Sequence, residues 1–409
     1  MKCPLSQRAL PSSMRRIDVV SLLEAERAMK MSEVIELAVS GQIKWFEAAT
    51  ILGISDRQMR RWKERYQGKG VQGLYDRRRQ PSPKRTETDV AAKVVELYRE
   101  QYFDFNVKHF HEQLEPQHGL TVSYTWTKSL LHNTGLVRRG KKRGQYRRRR
   151  ERKSLPGLLV HLDGSTHRWF ESTDDERQDL LALVDDATGE ILAAKFVRQE
   201  GTFTCLALIR ELVEQRGTFN ALYTDRAMHF VYTPKAGEPP DRSHKSQIER
   251  ILDDLGIELI AAHSPEARGR SERVWGTLQG RLPQELRRAN AVTYDAANRY
   301  LRKTFVPAFN RQFGVAATAQ GEAFLPVAGI DLQRLFACRY ERTVSRDNTI
   351  RFNNRVLQLP KVSGLSTLAD RKIEVRVLLD RKLEVLHGKR LIAAFDALPD
   401  MTEDELRAA

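Results

Sequence analysis

Cysteine is nearly absent from this chain of 409 residues: Cys3, Cys205 and Cys338 stand too few and too far apart for a disulfide framework or a zinc pattern. That excludes a disulfide-stapled secreted scaffold and fits a reducing compartment. No hydrophobic run approaches the length needed to span a bilayer, and the N-terminus lacks the apolar core of a signal peptide. A soluble, cytoplasmic protein is therefore expected. Acidic residues are also in deficit, 53 Asp and Glu against 69 Lys and Arg, for a net charge of +16. A pI near 9.8 predicts a polyanionic partner, most simply nucleic acid.

The positive charge is concentrated. Residues 138 to 153 hold eleven Lys or Arg and one Glu, so +10 of the +16 lies in one run. Arg138, Arg139, Lys141, Lys142, Arg143, Arg147, Arg148, Arg149 and Arg150 cannot pack a core. They are read as a clamp on DNA phosphates, with a merely solvated linker or a localisation-type signal as the plainer alternatives.

Ahead of that run the pattern is helical. Ala48, Ala49, Leu52, Gly53, Ile54, Ser55, Met59 and Trp62 spell a helix–turn–helix. Small residues let two helices cross closely, Gly53 makes the tight turn, and Ser55 caps the second helix. Met59 and Trp62 face inward, leaving Arg57, Gln58, Arg60 and Arg61 outward as candidate contacts to bases and phosphates. A Pro-Ser-Pro linker at 81–83 leads to a second helical unit, with Val90, Val94, Leu97 and Tyr98 on one face. There Thr121-Val-Ser-Tyr-Thr opens another candidate recognition helix, with Trp126, Leu130 and Leu131 inward. His109, His111, His118 and His132 match no metal spacing and are read as packing or surface residues.

From residue 155 the period changes. Leu158–Asp163, Leu180–Asp185, Ile191–Val197, Phe219–Asp225 and Ile257–Ala262 read as strands, with Asp186-Ala-Thr-Gly189 as a hairpin turn. Helices are expected over Thr202–Gln215 and Lys245–Leu255. The order β-β-β-α-β-α-β-α implies a mixed five-stranded sheet with helical crossovers. Asp163 and Asp225 both end apolar strands.

The next stretch, His263 to Leu282, carries Glu272. Ser264-Pro-Glu is a helix-start signature, and Val274, Trp275, Leu278 and Leu282 form one apolar arc. Glu272 lies outside that arc, beside Gly269, Gly276 and Gly280 on one flank and Arg268 on the other. Each interior glycine costs a helix roughly 1 kcal/mol against alanine, so a stripe of three suits a partner that approaches closely. Taken alone, Glu272 is equally a surface ion pair with Arg268 or a metal ligand. With Asp163 and Asp225 it makes three carboxylates, a grouping that is unfavourable unless cations neutralise it. Oxygen-only donors suit Mg²⁺ or Mn²⁺.

The pieces His161-Leu-Asp163-Gly-Ser-Thr-His-Arg-Trp-Phe, Tyr223-Thr-Asp225-Arg and Ser264-Pro-Glu-Ala-Arg-Gly-Arg-Ser-Glu272-Arg resemble the ribonuclease H-like catalytic core of DDE transposases and retroviral-type integrases, closest to insertion-sequence transposases of the ISNCY group. The resemblance implies that Asp163, Asp225 and Glu272 bind two divalent ions, Mg²⁺ or alternatively Mn²⁺. It further implies cleavage at element ends and joining of the freed 3′-hydroxyl to target DNA by at least a dimer, in a bacterial, nucleoid-associated setting. The partners would be terminal inverted repeats and target DNA, with no membrane. Arg268, Arg270 and Arg273 become candidate phosphate contacts. Arg226-Ala-Met-His-Phe departs from the commoner Arg-His-Ser-x-Phe, which puts a role for His229 in doubt. The zinc-binding His/Cys unit of retroviral integrases is absent. His161 and His167, beside the first acid, are as readily packing residues as DNA contacts.

Period-two alternation from Arg339 onward predicts a small antiparallel β-barrel. The fold class is thus multidomain: N-terminal all-α helix–turn–helix units, a central α/β ribonuclease H-like core and a C-terminal small barrel. The expected divisions are 1–80 and 81–137 (helical, DNA-binding), 138–154 (basic linker), 155–310 (catalytic core), 311–338 (linker) and 339–400 (barrel). The rivals to an active transposase are a non-catalytic, transposase-derived DNA-binding regulator and a ribonuclease for RNA–DNA hybrids.

Overall fold

The computed structural model describes residues 27–74, 86–138, 151–172, 176–231, 244–262, 271–353 and 355–396. Two compact units share the chain, Met1–Ala91 and Ala92–Ala409.

In the first unit, helix α1 (27–39) packs with α2 (Trp45–Leu52) and α3 (Asp56–Lys69) around Ile35, Ala48, Ala49 and Met59. Gly53 ends α2 at φ +64°, a conformation that favours glycine, and the chain turns there. Ser55 Oγ then accepts from the Gln58 N–H at 3.3 Å, capping α3. Both turn residues act as expected.

The second unit begins with helices α4 (Thr88–Glu100, shared at its start with the first), α5 (Val107–His118) and α6 (Tyr124–Asn133). Asn106 caps α5 and Ser123 caps α6. Val94, Leu97, Tyr98 and Leu131 are buried as expected, whereas Trp126 and Leu130 are half-buried. The four histidines serve packing: His109 meets Glu285, His111 the Val122 carbonyl, His118 the Tyr102 hydroxyl and His132 the Val137 carbonyl.

The central sheet has strands β1 (Val160–His167), β2 (Gln178–Asp185), β3 (Ile191–Val197), β4 (Ala221–Thr224) and β5 (Glu258–Ala261), in the order β3-β2-β1-β4-β5. The β1–β2 and β2–β3 pairs are antiparallel; β1–β4 and β4–β5 are parallel. Helices α7 (Thr202–Arg216), α8 (Gln247–Asp254) and α9 (Ser271–Gln279) complete the expected β-β-β-α-β-α-β-α order. Side chains alternate across a strand. Leu181 and Leu183 of β2 accordingly enter the core under α7 and α8, while Leu180, Ala182 and Val184 enter the opposite core. That second core is closed by α9, α10 (Leu282–Arg288), α11 (Tyr294–Tyr300) and α12 (Val306–Phe313).

One strand differs from expectation. β1 does not stop at Asp163 but continues to His167, because β2 pairs with it along its whole length. Its other neighbour, β4, ends at Thr224 and leaves that side of β1 open beyond His161.

The C-terminal barrel is corrected. After the short helix α13 (Leu332–Leu335), strands β6 (Cys338–Thr343), β9 (Lys372–Val377), β10 (Leu383–His387) and β11 (Arg390–Phe395) form an open sheet in the order β11-β10-β9-β6. Among the described residues, strands β7 (Thr349–Phe352) and β8 (Arg355–Gln358) pair only with each other. This hairpin shares the apolar core through Ile350 and Phe352 but makes no ladder with the four-stranded sheet, so among the described residues β6 and β11 remain edges. The module is tied to α8 by the Gln247 amide, which donates to the Arg339 carbonyl and accepts from its N–H, both at 2.9 Å.

Candidate functional site

The register of the two central parallel strands organises the site. His161 of β1 lies level with Tyr223 of β4. Counting two residues onward from each brings Asp163 and Asp225 to the same height on neighbouring segments, just where β4 ends. Both are half-buried. Asp163 Oδ1 accepts from the Gly164 N–H at 3.0 Å, and Asp225 Oδ1 from the Ala227 N–H at 2.9 Å. Backbone donors therefore orient both carboxylates.

Glu272 comes from the first turn of α9 and is exposed. Most of the expected apolar arc holds this helix: Trp275 and Leu278 are buried and Val274 packs beside them, whereas Leu282, expected on the same helix, is the buried first residue of α10. At its other end Gln279 Nε2 donates to Ser165 Oγ of β1 at 3.0 Å. Thus α9 lies against the strand that carries the first acid, on the face where alternation also puts Asp163. Residues 263–270, with the expected helix start at Ser264 and with Arg268, Arg270 and Gly269, lie outside the described residues. Arg273 is exposed. Gly276 is exposed too, and a Cβ built there meets nothing within 4 Å.

Strand β1, the segment just after β4 and helix α9 carry Asp163, Asp225 and Glu272, but their carboxylate oxygens do not gather within 4.8 Å of one another in this structure. Such a donor set fits hard divalent cations.

His161 does not take part. It is buried and its Nε2 lies 2.9 Å from Asp186 Oδ1, so it belongs to the packing under the β2–β3 hairpin. His167 stacks edge-on against Trp169.

A group that the sequence did not single out lies behind the first acid. Ligand atoms of Glu200, Cys205 and His229 fall within 4.8 Å of one another and could hold a metal ion, the one such grouping among the described residues. Glu200 sits at the β3–α7 junction, Cys205 on α7, and His229 in the turn after Asp225. No local spacing could have revealed it, because its members come from three elements.

Helices α9 and α10 are also held from α5. Asn106 Nδ2 donates to the Gly280 carbonyl at 2.9 Å, Arg281 Nη1 to Glu112 Oε2 at 2.6 Å, and Arg287 makes a two-point contact with Asp104. Glu285 is partly buried, which by itself would raise its pKa. Hydrogen bonds with His109 and Tyr300 and the nearby Arg288 outweigh this and hold its carboxyl below the ordinary value. Glu112 behaves alike: desolvation is overcome chiefly by Arg281, then by Gln312 and Lys108.

In the first unit, Arg57, Gln58, Arg60 and Arg61 are all exposed on α3, opposite the buried Met59. Arg138 is exposed after α6, while Arg139, Lys141, Lys142, Arg143 and Arg147 to Arg150 lie outside the described residues.

Residues 33–82 match a family model described as a helix-turn-helix domain, and residues 58–130 one described as a homeodomain-like domain. The chain is 31% identical over 364 residues to the putative transposase y4bF of Sinorhizobium fredii, covering 88% of this chain and 79% of that one. It is 28% identical over 381 residues to the transposase for insertion sequence IS1202 of Streptococcus pneumoniae, covering 84% and 80%. Among solved structures, the HTLV-2 integrase catalytic core domain in complex with magnesium aligns with 16% identity and a TM-score of 0.28 over 36% of this chain and 84% of that one. A simian T-cell lymphotropic virus intasome aligns with 14% identity and a TM-score of 0.31 over 74% and 99%.

Proposed function

The chain belongs to the transposase family, and on that premise we propose that it binds the inverted-repeat ends of a mobile element, cleaves them at their 3′ ends and joins the freed 3′-hydroxyls to target DNA. Asp163, Asp225 and Glu272 are the catalytic carboxylates of this reading. The observation that supports it is the β1–β4 register, with Asp163 level with Asp225 and the Glu272 helix packed on β1.

The three acids would hold two divalent ions, Mg²⁺ or Mn²⁺. When bound, such ions activate a water or a 3′-hydroxyl and stabilise the leaving oxygen in an in-line displacement. The protein's part is to hold the carboxylates in place: Gly164 and Ala227 donate to the two aspartates, and Trp275 and Leu278 fix the helix that presents Glu272. The open surface at Gly276 gives a DNA backbone room to approach beside Glu272. Arg273, with Arg268 and Arg270, would contact phosphates there. The outward residues of α3 would read the ends, and the run from Arg138 to Arg150 would clamp the duplex between the two activities. Two ends require two sites, so the working form is at least a dimer on DNA.

The test is substitution. Asp163→Asn, Asp225→Asn and Glu272→Gln should each abolish Mg²⁺-dependent end cleavage and joining while end binding persists. Joining retained in any one of them removes that residue from the triad. A wild-type protein that binds ends but never nicks them, whatever the metal, is instead a DNA-binding regulator.

A further inference from the structure

Gly164 follows the first acid and lies within β1. Side chains alternate along the strand, so Asp163 faces α9 while position 164 faces α7. A Cβ at Gly164 would overlap the Glu200 carboxylate, lying 2.9 Å from its Cδ and 3.1 Å from Leu181 Cδ2. The backbone at 164 is not in the left-handed region, so turn geometry does not demand glycine there. The Glu200 carboxylate occupies the missing side chain's place, against the peptide whose N–H orients Asp163.

Glu200 is itself held on two sides. Its backbone N–H donates to Asp179 Oδ2 at 2.8 Å, and the other oxygen of Asp179 accepts from Thr166 of β1 at 2.6 Å. Its carboxylate oxygen Oε1 lies 3.3 Å from His229 Nε2. The His229 side chain is only 7% exposed, and Nε2 finds no hydrogen-bond partner among the described residues. A buried ring nitrogen left so is costly and calls for an explanation. His229 stands four residues after Asp225, in the turn that Asp225 itself caps.

We propose that Glu200 and His229 are positioning residues of the active site: Glu200 braces the Asp163–Gly164 peptide from behind the sheet, and His229 links that brace to the turn carrying Asp225. This rests on the reading of Asp163 and Asp225 as metal-holding acids. The pair fixes the spacing of two carboxylates that come from separate strands. Outer residues of this kind typically contribute 10- to 100-fold to metal affinity or activity. A metal held by Glu200, Cys205 and His229 would also account for the ring nitrogen, and the Cys205→Ser variant separates that reading from the brace.

The experiment uses the full chain bound to a duplex carrying an element end. Mn²⁺ affinity is measured from the free-ion electron paramagnetic resonance signal, alongside Tm, end binding and strand transfer. Glu200→Gln and His229→Gln should each weaken Mn²⁺ binding about 10-fold or more and raise by a like factor the Mg²⁺ needed for half-maximal strand transfer, with Tm and end binding unchanged. Gly164→Ala should do the same, and combining it with Glu200→Ala should add nothing to Glu200→Ala alone. Cys205→Ser should leave both metal readouts at wild-type values.

Wild-type Mn²⁺ affinity in Glu200→Gln or in Gly164→Ala overturns the proposal, as does a loss confined to Tm. Zn²⁺ bound to the wild type and released equally by Cys205→Ser and His229→Gln would also overturn it, in favour of a metal site. Asp163→Asn separates the two readings. If it keeps Mn²⁺ binding and strand transfer, the catalytic assignment falls. If it loses both while Glu200→Gln is silent, only the brace falls.

Discussion

His109 of α5 and Glu285 of α10 meet through Nε2 and Oε1 at 2.7 Å, with the His109 side chain only 3% exposed and that of Glu285 19% exposed. The residues are 176 positions apart, and their contact is one of a row from Asn106–Gly280 to Asp104–Arg287. This row joins a helix from the candidate DNA-binding part to the end of the helix bearing Glu272. The row ties α5 to the α9–α10 junction through two part-buried contacts, His109–Glu285 and Arg281–Glu112, and two exposed ones, Asn106–Gly280 and Asp104–Arg287.

The Arg281–Glu112 pair is the more enclosed of the two arginine–carboxylate contacts in that row, its side chains 11% and 21% exposed. Arg281→Met should lower stability by about 2 kcal/mol, since it strands a partly buried carboxylate. Glu112→Gln should cost a similar amount, and the double variant less than the two single losses together. Thermal melts of the three variants against wild type measure this.

The same contacts predict an acid limb. Folding depresses the carboxyl pKa of both Glu112 and Glu285 below the ordinary value of 4.5. Their stabilising contribution is therefore fully present above that value and is lost as pH falls through the depressed folded values. Tm should hold steady from neutrality down to about pH 5 and drop below it. Glu285→Gln should show a lower plateau and a shallower fall, which a pH series of melts would reveal.

Gly276 separates folding from catalysis. Its side-chain position is open, so Gly276→Ala should stabilise α9 by roughly 1 kcal/mol or less through helix propensity. Gly276→Leu should leave Tm near wild type while cutting strand transfer at least 10-fold, about 1.4 kcal/mol in activation free energy. A Leu variant that lost stability but kept full strand transfer would instead make the glycine a packing residue.

On α3, Arg57→Ala, Arg60→Ala and Arg61→Ala should weaken end binding without moving Tm, because all three side chains are exposed. Where the lost contact was to a phosphate, the log–log dependence of affinity on salt should flatten by about one per residue. Where it was to a base, discrimination between cognate and random ends should fall while the slope stays. Binding titrations at several salt concentrations distinguish the two.

What the sequence determined by itself was local in origin. Gly53 and Ser55 set a turn and a cap within one stretch of chain. Trp275 and Leu278 marked the buried side of α9 and Leu282 that of α10, and alternating and continuous apolar runs marked five strands in their order. These follow from backbone sterics and side-chain period, which a few neighbouring residues suffice to express. The tertiary structure decided the rest, because pairing partners far apart in the chain act there. β1 runs past Asp163 because β2 pairs with it to the end, and the C-terminal sheet stays open because β7–β8 pairs only with itself. His229, whose motif departs from the common pattern, lies against Glu200 only because β4 and the β3–α7 junction converge behind Gly164. No spacing along the chain encodes a glycine emptied for a carboxylate 36 positions away; that relation exists only once the sheet has assembled.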